Sequence, residues 1–238
     1  MSRLDDVVRF YDLLDRLERR LGGKRRLGNC SKEKWPRRGV YFFFEPGENR
    51  SDSGPGPRVA RVGTHALSQG SRTQLWTRLS QHRGNRGGDG GNHRGSIFRL
   101  LVGNALMNRE AIGKIESWGL KSDPRHAAAH LNLSLEQMKA EEAPLEGMVS
   151  HYIGAMPFLW LAVEDEPGPG SDRSVVERNS IALLSNYGKS AVDPQSSGWL
   201  GGYCDRHKVC LSGLWNNNHV DEDYHPDFLA RFENLLRN

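Results

Sequence analysis

The chain has 238 residues, 37% of them hydrophobic, which is enough to bury a core as one elaborated domain or as a small domain with extensions. Its 33 Lys and Arg against 29 Asp and Glu give a formal net charge of +4, which permits an anionic partner such as nucleic acid without requiring one. No run approaches the ~20 apolar residues of a membrane span, no apolar signal core follows the charged N-terminus, and Cys30, Cys204 and Cys210 make no disulfide framework, so no membrane association and a reducing cytoplasm are expected.

Ser2 and Asp5 have the spacing of a capping box, and Leu4, Val7, Phe10, Tyr11, Leu14 and Leu17 recur at helical period. A first helix is therefore expected to run to Gly22 and Gly23. The basic run Lys24-Arg25-Arg26 reads as a solvated turn, with a phosphate contact as the alternative. Gly39-Val40-Tyr41-Phe42-Phe43-Phe44 is aromatic and β-branched and reads as a buried strand. Pro46 to Pro57, dense in Gly, Pro, Ser and charge, reads as a loop leading into a second strand, Val59 to Gly63, as a hairpin. Thr73 to Arg83 reads as a helix with Leu75, Trp76 and Leu79 on its apolar side. Gly84 to Gly95 is too rich in Gly, Arg, Asn and His to pack a core and reads as a loop, and Ile97 to Met107 as a buried helix.

Between Asn108 and Ala155, Gly119, Pro124, Pro144 and Gly147 are expected to break an inserted segment into polar helical pieces. Phe158 to Val163 reads as a third strand. Ser171 or Asp172 caps a helix that reaches Tyr187 and stops at Gly188. A tail carrying Trp199 and Trp215 ends in a short helix, Phe228 to Leu236. The order predicts an α/β (α+β) fold: a small three-stranded, mainly antiparallel sheet flanked by helices. Residues 1–30 form an N-terminal helical extension, 31–190 the core with a helical insertion at about 108–155, and 191–238 a C-terminal extension packed on the core.

Gly39-Val40-Tyr41 on one strand, Arg61-Val62-Gly63 on the next, Arg78 on the following helix and Glu177 on a helix after a third strand form an ordered set. That set resembles the GIY-YIG nuclease family over roughly residues 37–103 and 157–190. The first triplet has Val for Ile, and the second has Arg61 where the family name places Tyr. The resemblance implies hydrolysis of DNA phosphodiesters with one divalent metal, Mg²⁺ or Mn²⁺, per site. It implies that Tyr41 faces the reacting phosphate, that Arg78 matches the family's helix arginine and that Glu177 matches its metal-binding glutamate. The spacing of Arg78 and His82 is similar to that in restriction endonucleases of this fold.

The residue types fit that chemistry on their own terms. Phosphodiester hydrolysis needs a nucleophilic water, donors for the phosphoryl oxygens and help for the leaving oxygen. Glu177 is a hard oxygen ligand suited to Mg²⁺, and Arg78 a fork of donors to phosphate. His82, one turn on from Arg78 and ~6 Å away, can accept a proton, donate to phosphate or orient Tyr41. A tyrosine has an ordinary pKa near ~10, so as a base Tyr41 needs nearby cations, which Arg61 and Arg78 supply. Arg61 reads in two ways: a surface strand residue in a degraded site, or a cation replacing a phenol beside the nucleophile.

Arg83, Arg86, His93 and Arg94, in or beside the Gly-rich loop, are candidates to hold a nucleic-acid backbone; the alternative is a mobile solvent loop. Asn186 and Asn216 are alternative auxiliary polar groups. Cys204, His207, Cys210 and His219 lack the short paired spacing of zinc modules, so a structural zinc is not expected. The leading reading is a DNA endonuclease, with RNA as the alternative polymer. The others are a nucleic-acid-binding protein on a degraded nuclease scaffold, motivated by Arg61, and a protein-interaction module working through residues 108–155. Cutting both strands would need two sites, hence a homodimer or two events.

Overall fold

The structure, a computed structural model, describes residues 2–32 and 34–237. In chain order these form α1 (Arg3–Leu21), β1 (Arg25–Arg26), β2 (Gly39–Asn49), β3 (Pro57–Gly63), α2 (Leu75–Arg83) and α3 (Ile97–Arg109). They continue with α4 (Pro124–His130), α5 (Leu135–Ala155), β4 (Pro157–Ala162), α6 (Asp172–Leu184), α7 (His207–Ser212) and α8 (Phe228–Arg237). The strands make one antiparallel sheet in the order β1-β4-β2-β3. The sheet has four strands among the described residues rather than the expected three. The fourth is the pair Arg25–Arg26, which bonds to β4 through Phe158 and Pro157 and replaces the expected solvated turn.

Strand β2 is central, and its side chains alternate between two cores. Val40, Phe42 and Phe44 face a core shared with Val7, Phe10 and Leu14 of α1, Val176 and Ile181 of α6, and Phe228 and Phe232 of α8. Tyr41 and Phe43 face the other core with Leu75 and Leu79 of α2, Phe98 and Leu101 of α3, and Leu145 and Val149 of α5. The result is a helix–sheet–helix sandwich. The capping box of Ser2 and Asp5 forms as expected, and α1 ends on Gly22 in the left-handed conformation. Ser171 caps α6, which ends at Ser185 and not near Gly188 because Ser185 has extended backbone angles.

Two expected interruptions are absent. Strand β2 runs on through Glu45-Pro46-Gly47-Glu48-Asn49, into the expected loop, past an irregularity in its pairing after Phe43. Helix α5 runs unbroken through Pro144 and Gly147. Pro144 and Ala140 both lie on the exposed side of the helix, so the carbonyl that loses its proline partner can bond to water. The inward face, Leu145, Val149 and Ile153, packs into the second core and holds the helix together. Glu142 and Glu146 on the same inward side pair with Arg94 and Arg99. Among the described residues no helix is long and apolar enough to cross a membrane.

Candidate active site

The two triplets meet because β2 and β3 pair in one register. Tyr41 stands opposite Gly63 and Phe43 opposite Arg61, so Tyr41, Gly63 and Arg61 share one face of the sheet. The Tyr41 ring lies directly on Gly63: a methyl group there would sit 2.4 Å from the Tyr41 hydroxyl oxygen. Gly39 is required by a different contact, since a methyl group would sit 2.4 Å from the Leu161 carbonyl oxygen on β4.

Tyr41 is only 1% exposed. Its hydroxyl lies 2.8 Å from His82 Nε2, and His82 Nδ1 lies 2.7 Å from the Ser96 hydroxyl. Ser96 is itself fixed as the N-cap of α3, where it accepts from the Arg99 amide. Burial, and after it the charges of Arg78, Arg61 and Arg99, hold the His82 pKa well below its ordinary value. The ring is therefore neutral near pH 7. When Nδ1 donates to Ser96, Nε2 is free to accept from Tyr41.

Arg61 is buried, not displayed on the strand surface. It donates to the Trp215 carbonyl, and its guanidinium sits 4.6 Å from the centre of the Phe98 ring. Its Nε is buried without a partner. Burial lowers the Arg61 pKa, and the adjacent Tyr41 and Glu177 oppose that shift. Arg78 is half-buried at the rim, 3.1 Å from Gln81 Oε1 and 3.2 Å from the Gly95 carbonyl. Glu177, on α6, accepts the Thr64 amide at 3.0 Å just beyond the end of β3. The Thr64 hydroxyl donates to the Gly39 carbonyl at 2.7 Å, which joins the starts and ends of the two triplets. Burial raises the Glu177 pKa, opposed first by the Thr64 bond and then by Arg61, His219 and Arg78. The structure thus brings Tyr41, Arg61, Arg78, His82 and Glu177 together.

Other candidates fall elsewhere. Arg94 turns inward, bidentate to Glu142 at 2.8 and 2.7 Å and bonded to the Ser117 carbonyl. His93 is buried; Nδ1 donates to Glu146, Nε2 accepts the Gly119 amide, and the ring stacks on Trp118. These two therefore hold the Gly-rich loop to α5 and do not face a nucleic-acid backbone, because each finds a buried carboxylate on that helix. Arg86 is exposed, and Arg83 donates to the Cys30 carbonyl. Asn186 accepts from Arg3 at 3.0 Å and from Val192, tying α6 to α1 and leaving it no role beside Tyr41. Asn216 lies beside the site: its side chain pairs with both the amide and the carbonyl of Val62, at 3.1 and 2.8 Å, and closes the free edge of β3.

Three neighbours were not singled out from the sequence. Ser96 carried the signal of a capping residue before an apolar helix. Thr64 and His65 carried none. His65 is 6% exposed, and neither ring nitrogen meets hydrogen-bond geometry. Burial and the charges of Arg173, Arg38 and Arg78 push its pKa down to about 4.

Among the described residues no three His, Cys, Asp or Glu side chains converge as a metal-binding group. Cys204 and Cys210 bond to backbone carbonyls, and His219 pairs with Glu222. A single carboxylate completed by water and substrate oxygens fits what Mg²⁺ accepts. Glu177 Oε1 is held by Thr64, and Oε2 has no protein donor among the described residues.

An antiparallel sheet thus sets a tyrosine across from a glycine, with an arginine-bearing and a glutamate-bearing helix beside it. The family described as GIY-YIG domain matches residues 1–238, and the chain belongs to that family. Membership in this family implies a nuclease-type, hydrolytic function on a nucleic-acid substrate. No curated protein and no solved structure matches the chain significantly.

Proposed function

We propose that this protein is a divalent-metal-dependent DNA endonuclease in which Tyr41, Arg61, Arg78 and His82 act on the reacting phosphate and Glu177 holds the metal. The observation that carries the reading is the buried Tyr41–His82 pair at 2.8 Å, set beside Arg61 and across from Gly63. In this reading Tyr41 takes the proton of the attacking water while His82, neutral and anchored on Ser96, accepts from the tyrosine hydroxyl. Arg61 brings a fixed positive charge to that oxygen. Arg78, loosely held at the rim, can turn onto a phosphoryl oxygen as charge develops there. When bound at Glu177, Mg²⁺ or Mn²⁺ would neutralise phosphoryl charge. The N-terminal helix, the segment at about 108–155 and residues 191–238 are read as extensions of one nuclease core, working in the cytoplasm. Incubating supercoiled DNA with the full chain, with and without Mg²⁺ or Mn²⁺, tests the reading: metal-dependent nicked or linear product is expected, and its absence at all metal concentrations counts against it.

One observation favours a second reading. Tyr41 is almost wholly enclosed, so access to a phosphate requires the rim at Arg78 to open. A chain in which it never opens would bind nucleic acid with strong salt dependence and release no product.

A further inference from the structure

Away from Tyr41 and Glu177, the C-terminal ends of α2 and α5 frame a cavity of about 350 Å³ with the turn that follows β1. Arg26, Asn29, Arg83, Asn85, Arg86 and His151 supply its functional groups, and no acidic side chain lines it. The floor is bare backbone: Gly28 and Gly154 pack so closely that a methyl group on Gly28 would sit 3.2 Å from the Gly154 carbonyl oxygen. Gly87 and Gly88 of the Gly-rich loop form part of the wall, Gly88 with φ +73°.

The three arginines differ in how they are held. Arg83 is fixed: it donates to the Cys30 carbonyl at 2.7 Å, sits 5.1 Å from the centre of the Trp76 ring, and its Nε is buried without a partner. Arg26 and Arg86 are exposed, and neither has a carboxylate partner among the described residues. A structural role at the two helix ends does not account for all of them. Each helix C-terminus contributes about −0.5 charge, so two ends are outweighed by three guanidiniums. A neighbouring recess shares Arg26 and Asn29 and continues past Lys24 and Arg25, where Glu18 is paired with Lys24.

We propose that this cavity binds a backbone phosphate of the nucleic-acid substrate, apart from the phosphate that reacts. The inference rests on the nucleic-acid reading of the site above. Arg78 and Arg83 stand five residues apart on α2, about 7.5 Å along the helix axis. Five residues also turn the helix by about 140°, so the two arginines mark separate contacts on different sides of α2. The bare glycine floor admits a phosphate group, and the guanidiniums offer paired donors to its oxygens.

The test is equilibrium binding of a labelled DNA duplex to the full chain, without metal, across a salt series. Arg26→Ala and Arg86→Ala should each weaken binding about tenfold, in line with loss of one charge-assisted contact. Each should also lower the slope of log K against log salt by about 1. Lys139→Ala, an exposed charge on α5 away from the cavity, should leave both unchanged. The proposal is overturned if folded Arg26→Ala and Arg86→Ala bind as the wild type does, if Lys139→Ala shifts the slope equally, or if the wild type binds no duplex at low salt. Because the readout is binding without metal, a wild type that binds in this pattern but never cleaves supports the cavity and sinks the nuclease reading. A wild type that cleaves while the variants bind normally does the reverse.

Discussion

Gly63→Ala tests the geometry of the site most sharply. The added methyl carbon would lie 2.4, 2.5 and 2.6 Å from the hydroxyl oxygen, Cζ and Cε2 of Tyr41. Ordinary contacts begin near ~3.5 Å, so the ring must retreat by about 1 Å. It has nowhere to go, being 1% exposed and packed edge-on against Phe43 and His82 at centroid distances of 5.7 and 5.5 Å. Overpacking of this kind costs about 1–3 kcal/mol. A shift of the hydroxyl also breaks the 2.8 Å bond to His82 and leaves a buried nitrogen unpaired, about 1–3 kcal/mol more. The combined loss is about 2–6 kcal/mol, a fall of roughly 4–24 °C in Tm for a chain of this size. Thermal unfolding followed by circular dichroism, together with DNA cleavage, reads both consequences. A variant that melts within about 2 °C of the wild type and retains its activity would refute the argument that Gly63 exists to seat Tyr41.

The remaining predictions rest on single groups. Tyr41→Phe removes the partner of His82 Nε2 and should cost about 1–3 kcal/mol in denaturant unfolding, with cleavage lowered by a factor on the order of 10²–10⁴. Glu45 accepts from Trp199 at 2.9 Å, from Trp215 at 2.8 Å and from the Tyr152 hydroxyl, so Glu45→Ala should orphan two buried donors and one half-buried one. Destabilisation of at least about 3 kcal/mol and a red-shifted tryptophan emission are expected; an unchanged melt would show that the tail is held without it. The His65 pKa is pushed down to about 4 by burial and neighbouring arginines, so the unfolded chain binds the extra proton. Stability should therefore fall as pH drops from about 6.5 to about 4, by at most about 3 kcal/mol from this residue, with His82 acting in the same direction. His65→Asn should flatten the slope of Tm against pH in that window, and an unaltered slope would remove His65 from the account.

Most elements were legible because their signals are local. The Ser2–Asp5 box, Gly22, and Ser171 before α6 are caps that act within one turn. The central strands were legible because β2 is buried on both faces and carries an uninterrupted aromatic run. What escaped was decided by distant partners. Arg25 and Arg26 form a strand only because β4 offers them a free edge. Helix α5 survives Pro144 because its opposite face is packed against α2 and α3. His93 and Arg94 look like loop ligands in sequence and turn inward because Glu146 and Glu142 wait on α5 about fifty positions later. Asn186 and Asn216 could not be separated by spacing; only the pairing of Trp215 with Ala60 brings Asn216 alongside Val62. The site residues were placed by their order on strands and helices, whereas the burial of Arg61 between Phe98 and Trp215 needed the whole fold.

The proposed metal ligand, Glu177, is the residue on which cleavage turns. Burial raises its pKa, so its ionised form strains the fold at neutral pH, and Glu177→Gln should melt at or above the wild-type temperature. Cleavage of supercoiled DNA by the two proteins in parallel, with Mg²⁺ or Mn²⁺ and with chelator, is the decisive measurement. Product is expected from the wild type with metal, none with chelator, and none from the folded variant under any condition. Equal metal-dependent cleavage by Glu177→Gln would contradict that role for Glu177.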